Sequence, residues 1–381
     1  MAVGGASGGH VTPVVAVLRE LKKHHARAEI RFWCDRKFAP QVRSIMNHFD
    51  PTIPVQTILS GKLRRYNNLP VWRQLLRPFT IVLPNILDAF LIVGGLVQSL
   101  VKLLLWRPDV VFTKGGFVCL PVGLAAKMLG IPLVIHDSDA HPGLTNRVLA
   151  RWATAIGTGA PLQFYPYPPE ISQYVGIPVR EEFVLQEADA RKKIKTELGF
   201  EAERPLVVIT GGGLGAQRLN TAVSVELERL LDICSVILLS GTAQYDELRA
   251  TTPQDDPRYQ LHAFISDDIA QVLGAADVVV TRAGATTLLE LAALGRPTVV
   301  VPNGYLTGGH QLKNAAVYAE HGAVEVLDEH ELDANPRLLT DTLASLFAHP
   351  ARLREMSHAF HALAKPHAAR DMAAIILNAA K

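Results

Sequence analysis

Two glycine-rich segments constrain this chain more than any other feature. The first is Gly4-Gly5-Ala6-Ser7-Gly8-Gly9-His10, and the second is Gly211-Gly212-Gly213-Leu214-Gly215-Ala216, which follows the apolar run Leu206-Val207-Val208-Ile209-Thr210. Glycines let backbone N–H groups approach an anion closely, and the helix that follows adds its positive N-terminal end. One such loop is a weak signal. Two, each opening its own α/β half, imply two domains closing on a phosphorylated ligand.

Strand-type apolar runs alternate with helical patterns throughout, as expected for parallel sheets covered by helices. Strands are expected near Ile30–Cys34, Val110–Thr113 and Leu133–His136 in the first half. In the second they are expected near Leu206–Thr210, Ser235–Ser240, Val278–Thr281 and Thr298–Val301. Val175-Gly176-Ile177-Pro178-Val179-Arg180 reads as a hinge, because proline and glycine stop both sheet and helix. Domains of 1–177 and 178–381 follow, with the final helix able to pack back on the first. Only Met1, Ala2 and Val3 precede the first glycine loop, so its feeding strand is nearly missing: either the start is misplaced, the favoured reading, or the first strand is clipped and the sheet tolerates it.

Charged residues at 19% and hydrophobic residues at 49% describe a globular protein, not a disordered one. Three cysteines without metal spacing fit a reduced, cytosolic-type compartment, and no signal peptide is expected. The net charge of +2 hides an asymmetry. Residues 1–177 hold 19 Lys and Arg against 9 Asp and Glu, which leaves 19 against 27 in the remainder. Such polarity suits an anionic surface or substrate on the N-terminal side. Lys62, Arg64, Arg65, Arg73 and Arg77 precede an apolar stretch from Phe79 to Trp106 that is interrupted by Pro84, Asp88, Gly94-Gly95 and Lys102. The 13 residues between Asp88 and Lys102 are too few to span a bilayer. Residues 96–105 are expected to be a core helix, and Trp72–Leu91 to contact an anionic membrane.

Chemistry-bearing residues gather after the strands. His10 sits where a helix begins beside the first loop, and its ordinary pKa suits proton abstraction from a hydroxyl. Lys114-Gly115-Gly116-Phe117 and His136-Asp137-Ser138-Asp139 follow the next two strands, where ligands sit in open α/β sheets. Arg282-Ala283-Gly284-Ala285-Thr286-Thr287 can meet a diphosphate, and Glu290 can accept hydrogen bonds from vicinal ribose hydroxyls. His310, Gln311 and Asn314 follow, and an amide can read sugar hydroxyls.

At these residues the chain resembles the MurG family, membrane-associated glycosyltransferases that add N-acetylglucosamine to lipid I to make lipid II. The first loop with His10 and Pro13 is similar to that family's GGGTGGH-x-x-P, and residues 211–220 to its GGSQGAR-x-x-N. Residues 281–290 resemble RSGA-x-T-x-x-E, and His310-Gln311-x-x-Asn314-Ala315 resembles HQ-x-x-NA. Gly143-Leu144-Thr145-Asn146 and Gly176-x-Pro178-Val179-Arg180 add two anchors.

The resemblance implies a GT-B fold: two Rossmann-like, doubly wound parallel-sheet domains facing across a cleft. It implies an N-terminal acceptor and membrane domain and a C-terminal UDP-GlcNAc domain. Carried over by position, Glu290 binds the ribose and Ile265 the uracil. Ala285, Thr286 and Thr287 meet the diphosphate, with Leu288 and Leu289 in the same run, and Gly213 belongs to the second loop. Gln311 reads the GlcNAc with His310 and Asn314 beside it, and Arg180 completes the donor site. Ser7, Gly8, Gly9 and Asp139 line the acceptor side, where His10 is the candidate base. The implied reaction is an inverting transfer needing neither metal nor cofactor, at the cytoplasmic face of the cell membrane. The implied partners are UDP-GlcNAc, undecaprenyl-linked lipid I, an anionic inner leaflet and the division or elongation machinery, with no nucleic acid.

Departures stand beside the matches. Asp139 puts a charge where the family has an amide, residues 213, 214 and 217 lose polar groups, and Ile177 replaces an asparagine. Three other readings remain: a GT-B enzyme with another lipid acceptor, such as diacylglycerol, a UDP-GlcNAc 2-epimerase, or a non-catalytic sugar-nucleotide binder.

Overall fold

A computed structural model describes residues 1–5, 8–62, 76, 78–212, 215–265, 268–304 and 309–380, with the side chains of 8–10 and 78 excepted. Ser7, Arg64, Arg65, Arg73, Arg77, Gly213 and Leu214 lie outside the described residues. The chain forms two compact units, Met1–Arg180 with Lys365–Lys381, and Glu181–Ala364.

The first unit carries a seven-stranded parallel sheet. Its strands are β1 (Ala2–Val3), β2 (Phe32–Cys34), β3 (Val55–Thr57), β4 (Val111–Thr113), β5 (Leu133–Asp137), β6 (Ala155–Thr158) and β7 (Ser172–Tyr174), in the order 3-2-1-4-5-6-7. The strand before the first glycine loop is only two residues long, yet it occupies an inner position. Ala2 and Val3 pair with Phe32 and Trp33 on one side and with Phe112 and Thr113 on the other. The helix Gly8–His24 covers it with Val11, Val14, Leu18 and Leu21, and Met372, Ala373 and Ile376 of the final helix Ala368–Ala379 join the same core.

The second unit has six parallel strands: β8 (Leu206–Thr210), β9 (Ser235–Leu239), β10 (Tyr259–His262), β11 (Val278–Thr281), β12 (Thr298–Val300) and β13 (Val324–Val326). Their order is 10-9-8-11-12-13. Every residue of β8, β9, β11 and β12 is buried, so these strands read as continuous apolar runs rather than as an alternation. Both sheets therefore reverse winding direction at one place, between β1 and β4 in the first unit and between β8 and β11 in the second. In open α/β sheets ligands bind outside the carboxyl ends of the strands at that reversal.

The stretch after Pro78 departs from expectation. It is helical without a break, a π-turn over Pro78–Val82 running into an α-helix over Leu83–Leu105. The span Phe79–Leu105 is long and apolar enough to cross a membrane by length and composition alone, so the sequence count was too strict. Asp88 and Lys102 do not bound the apolar surface because Lys102 turns inward. Its ammonium donates to Gln56 Oε1 at 2.9 Å and lies 5.5 Å from the centre of the Trp33 ring. Gly94-Gly95 does not break the helix; it permits contact. A Cβ on Gly95 would collide with the Leu59 carbonyl oxygen. Gln98 accepts from Leu59 N at 2.9 Å and donates to Thr57 O at 3.2 Å, fixing the helix along the segment after β3. Only a narrow stripe, Gly95, Ser99 and Leu103, is buried. The core-helix expectation for 96–105 therefore holds on one face and fails on the other, where Val97, Val101, Leu104 and Leu105 are exposed.

Candidate glycosyltransferase site

The two reversal points collect the sequence motifs. In the second unit, the glycine loop follows β8 and the Arg282–Thr287 turn follows β11, on either side of the reversal. Gly211 must be glycine because a Cβ there would collide with the backbone of Gly215 and Ala216. Gly212 has φ +72° and donates its N–H to Thr210 Oγ1 at 3.1 Å, turning the chain sharply at the strand end. Asn220, fully buried in the helix Gln217–Ile233, donates to Ser240 O and to Gln244 Oε1, both at 2.8 Å. This ties the loop after β9 to the helix that the glycine loop opens.

On the β11 side, Gly284 is the N-cap of the helix Ala285–Leu294 and brings no side-chain cap, so the first turn keeps backbone donors for an anion. Ala285, Thr286 and Thr287 are half-buried there. Leu288 and Leu289 are 0% and 2% exposed and belong to the core, so any ligand contact from them falls to the backbone. Glu290 is half-buried on the following turn. The turn itself is clamped. Buried Arg282 donates through Nη1 to Val301 O at 3.0 Å and pairs through Nη2 with Glu329. From the other side Asn314 Nδ2 donates to Ala283 O at 3.1 Å. Asn314 is buried, and through this bond it shapes the loop. Gln311 Oε1 accepts from Asn303 N at 2.8 Å, which fixes its amide beside half-buried His310. Ile265 is half-buried just beyond β10, next to exposed Phe264.

In the first unit, Gly8, Gly9 and His10 form the first turn of the helix Gly8–His24 after β1. At the ends of β4 and β5 lies a buried polar cluster that the sequence had marked only in part. Lys114 donates to Ser138 Oγ, and Tyr167 OH donates to Asp137 Oδ2 at 2.6 Å. Burial pushes the Asp137 carboxyl up to about 7, with the Asp139 charge adding to the rise. Burial also lowers the Lys114 ammonium to about 8 against the pull of Asp139 and Asp137. Asp139 itself is half-buried at the strand end. Asn146 donates to His136 O at 3.4 Å, and His136 Nε2 contacts Gly176 O at 2.8 Å, so the β5 end is held against residues just before Arg180. Arg180 is half-buried at the end of the unit.

Tyr167 and Glu329 are site-shaping residues that sequence reasoning did not single out. Tyr167 lies in a proline-rich stretch without periodicity, and Glu329 lies 47 positions from the arginine it holds. No local signal announces either contact.

Two doubly wound parallel sheets, each with a glycine-rich segment at its reversal, mark the GT-B class of nucleotide-sugar transferases. Residues 1–158 match the glycosyltransferase family 28 N-terminal domain and residues 206–372 match the family 28 C-terminal domain. The chain belongs to glycosyltransferase family 28. It is 30% identical over 376 residues, covering 98% of this chain and 97% of its relative, to a Bacillus thuringiensis (strain Al Hakam) UDP-N-acetylglucosamine–N-acetylmuramyl-(pentapeptide) pyrophosphoryl-undecaprenol N-acetylglucosamine transferase. Among solved structures it is similar to Acinetobacter baumannii MurG, with TM-score 0.74 and 25% identity over 99% of this chain and 98% of that one. The UDP-GlcNAc 2-epimerase of Neisseria meningitidis shares the fold, with TM-score 0.67 and 12% identity over 99% of each chain.

Proposed function

We propose that this chain is an inverting glycosyltransferase that moves GlcNAc from UDP-GlcNAc to the muramoyl 4-hydroxyl of undecaprenyl-pyrophosphoryl-MurNAc-pentapeptide. The product is lipid II, the peptidoglycan precursor. One observation carries the reading: three of the four strand-end loops at the two reversal points, those after β1, β8 and β11, bear motifs of a family whose named relatives catalyse this transfer, and the likeness runs along nearly the full length.

The second unit is the donor side. Ala285, Thr286 and Thr287 offer first-turn N–H groups and hydroxyls to the diphosphate, and Glu290 accepts from the ribose hydroxyls. Ile265 flanks the uracil, Gln311 and His310 face the GlcNAc, and Arg180 adds a cation. The first unit is the acceptor side, with Ser7, Gly8, Gly9 and Asp139 near the lipid pyrophosphate. His10 takes the proton of the 4-hydroxyl as the oxygen attacks the anomeric carbon. The bond to UDP breaks with its electron pair on the phosphate oxygen, where helix N-termini stabilise the developing charge. Attack opposite the leaving group inverts the centre.

The same reading puts the protein at the cytoplasmic face of the membrane as a peripheral enzyme. A helix apolar nearly all round is at home only in a core or in lipid, and Phe79–Leu105 is mostly outside the core. With one stripe fixed to the protein and exposed Phe79, Leu87 and Phe90 turned away, it suits the plane of the interface. The test is direct. Purified protein with UDP-GlcNAc and a lipid I analogue is expected to yield UDP and the disaccharide lipid. Epimerised UDP-GlcNAc as the sole product would sink the transferase reading, since the epimerase fold is shared.

A further inference from the structure

Glu329 is a buried carboxylate with no task in the helix it begins. That helix, Glu329–Ala334, is capped by Asp328, whose side chain accepts from His330 N and Glu331 N. Glu329 instead reaches back toward the loops of the sheet reversal. One oxygen pairs with Arg282 Nη2, and the other lies 3.4 Å from Arg218 Nη1. Arg282 stands between β11 and the 283–287 turn. Arg218 lies in the first turn of the helix that follows the glycine loop. Since Arg282 also donates to Val301 O just after β12, one carboxylate joins segments that follow β8, β11, β12 and β13.

Two helix starts have to meet one diphosphate together, so the spacing between them matters more than the position of either alone. A buried ion pair is poor at adding stability but well suited to fixing a register, because its geometry is costly to abandon. We propose that Glu329 is a positioning residue for the donor diphosphate, holding the glycine-loop helix through Arg218 and the 283–287 turn through Arg282. It touches no substrate; it sets where the N–H groups of two helix starts point. The assignment rests on the reading of the second unit as the donor site.

The experiment titrates UDP into the full-length protein and into Glu329→Gln and Arg218→Met, with steady-state rates measured against donor and acceptor separately. Glu329→Gln keeps the size and loses the charge. It is expected to weaken UDP binding and raise the donor KM about tenfold or more, since small misplacements of binding groups carry penalties of that order, while the acceptor KM stays put. Arg218→Met, which loosens one arm, is expected to show about a threefold effect in the same direction. A folded Glu329→Gln protein that binds UDP as tightly as the parent overturns the assignment. So does one that binds it more tightly, because the carboxylate would then only mask two cations, or one that loses kcat with both KM values unchanged. If Glu329→Gln does not fold, Arg218→Met decides: a raised donor KM supports the assignment and an unchanged one overturns it. A parent protein that fails to bind UDP overturns the donor-site reading and this assignment together, which separates the two failures.

Discussion

The two sheets end differently. In the second unit β8 and β11 finish at the buried hydroxyls of Thr210 and Thr281, β9 runs directly into buried Ser240, and the buried Arg282 is matched by Glu329. In the first unit β4 and β5 run into Lys114 and Asp137, buried groups whose proton affinities are displaced toward neutrality. Apolar helices differ as well. Ala285–Leu294 hides its leucines, whereas Phe79–Leu105 displays Phe79 at 82% and Phe90 at 71% exposure. A site of fixed dipoles and hydroxyls recognises a constant anion without regard to pH. A site of shifted titrating groups beside an exposed apolar helix suits the acceptor side of the proposed transfer, where a substrate must lose a proton.

The sharpest test of that division is His10→Ala. It is expected to lower kcat by about 10²–10⁴-fold, the usual worth of a general base, while UDP binding by calorimetry stays unchanged; an undiminished rate would remove the reacting proton from the first unit. Next in size is Phe79→Glu with Phe90→Glu. Each phenylalanine is worth about 1.5–3 kcal/mol when taken out of water, so flotation with anionic liposomes is expected to drop by about tenfold or more, with donor affinity untouched. Glu290→Gln reverses the pattern. Hydrogen bonds to a charged group are worth about 1.5–3 kcal/mol, so the donor KM is expected to rise about tenfold or more while liposome binding holds.

The smallest effect is a matter of pH. Asp137 has its folded pKa raised from 3.8 to about 7, so its protonated form contributes stability below pH 3.8 that is lost as pH climbs to about 7. Lys114 has its folded pKa lowered from 10.5 to about 8, so the stability of its neutral form is present above 10.5 and lost as pH falls to about 8. The cluster is least favourable between these limits, with both groups charged. Asp137→Asn is expected to flatten the decline in melting temperature between pH 4 and 7, and an unchanged slope would assign that decline elsewhere.

Legibility in the sequence follows the physics of burial. The inner strands β8 and β11 announce themselves as unbroken Val, Ile and Leu runs because both faces are covered. Edge strands do not. Ser172-Gln173-Tyr174 and Val55-Gln56-Thr57 are half-exposed and polar, so nothing separates them from loops until a sheet edge is there to pair with. β1 was legible only as a clipped strand, the less favoured of two readings, because two residues suffice when strands on both sides supply partners. Motif residues on tight turns, such as Gly211 and Arg282, could be read because the turn dictates local spacing. Glu329 and Tyr167 could not, since they reach their partners only through the three-dimensional path of the chain.

The outer face of Phe79–Leu105 has a consequence at the bench and in the cell before any substrate arrives. An apolar surface that large attracts its own copies when no bilayer is offered, so dilute aqueous preparations are expected to clump as concentration rises. Detergent or nanodiscs would relieve this. On the proposed peripheral location, overproduction beyond the available membrane area would send newly made chains toward inclusion bodies, tying the tolerable copy number to the extent of that membrane.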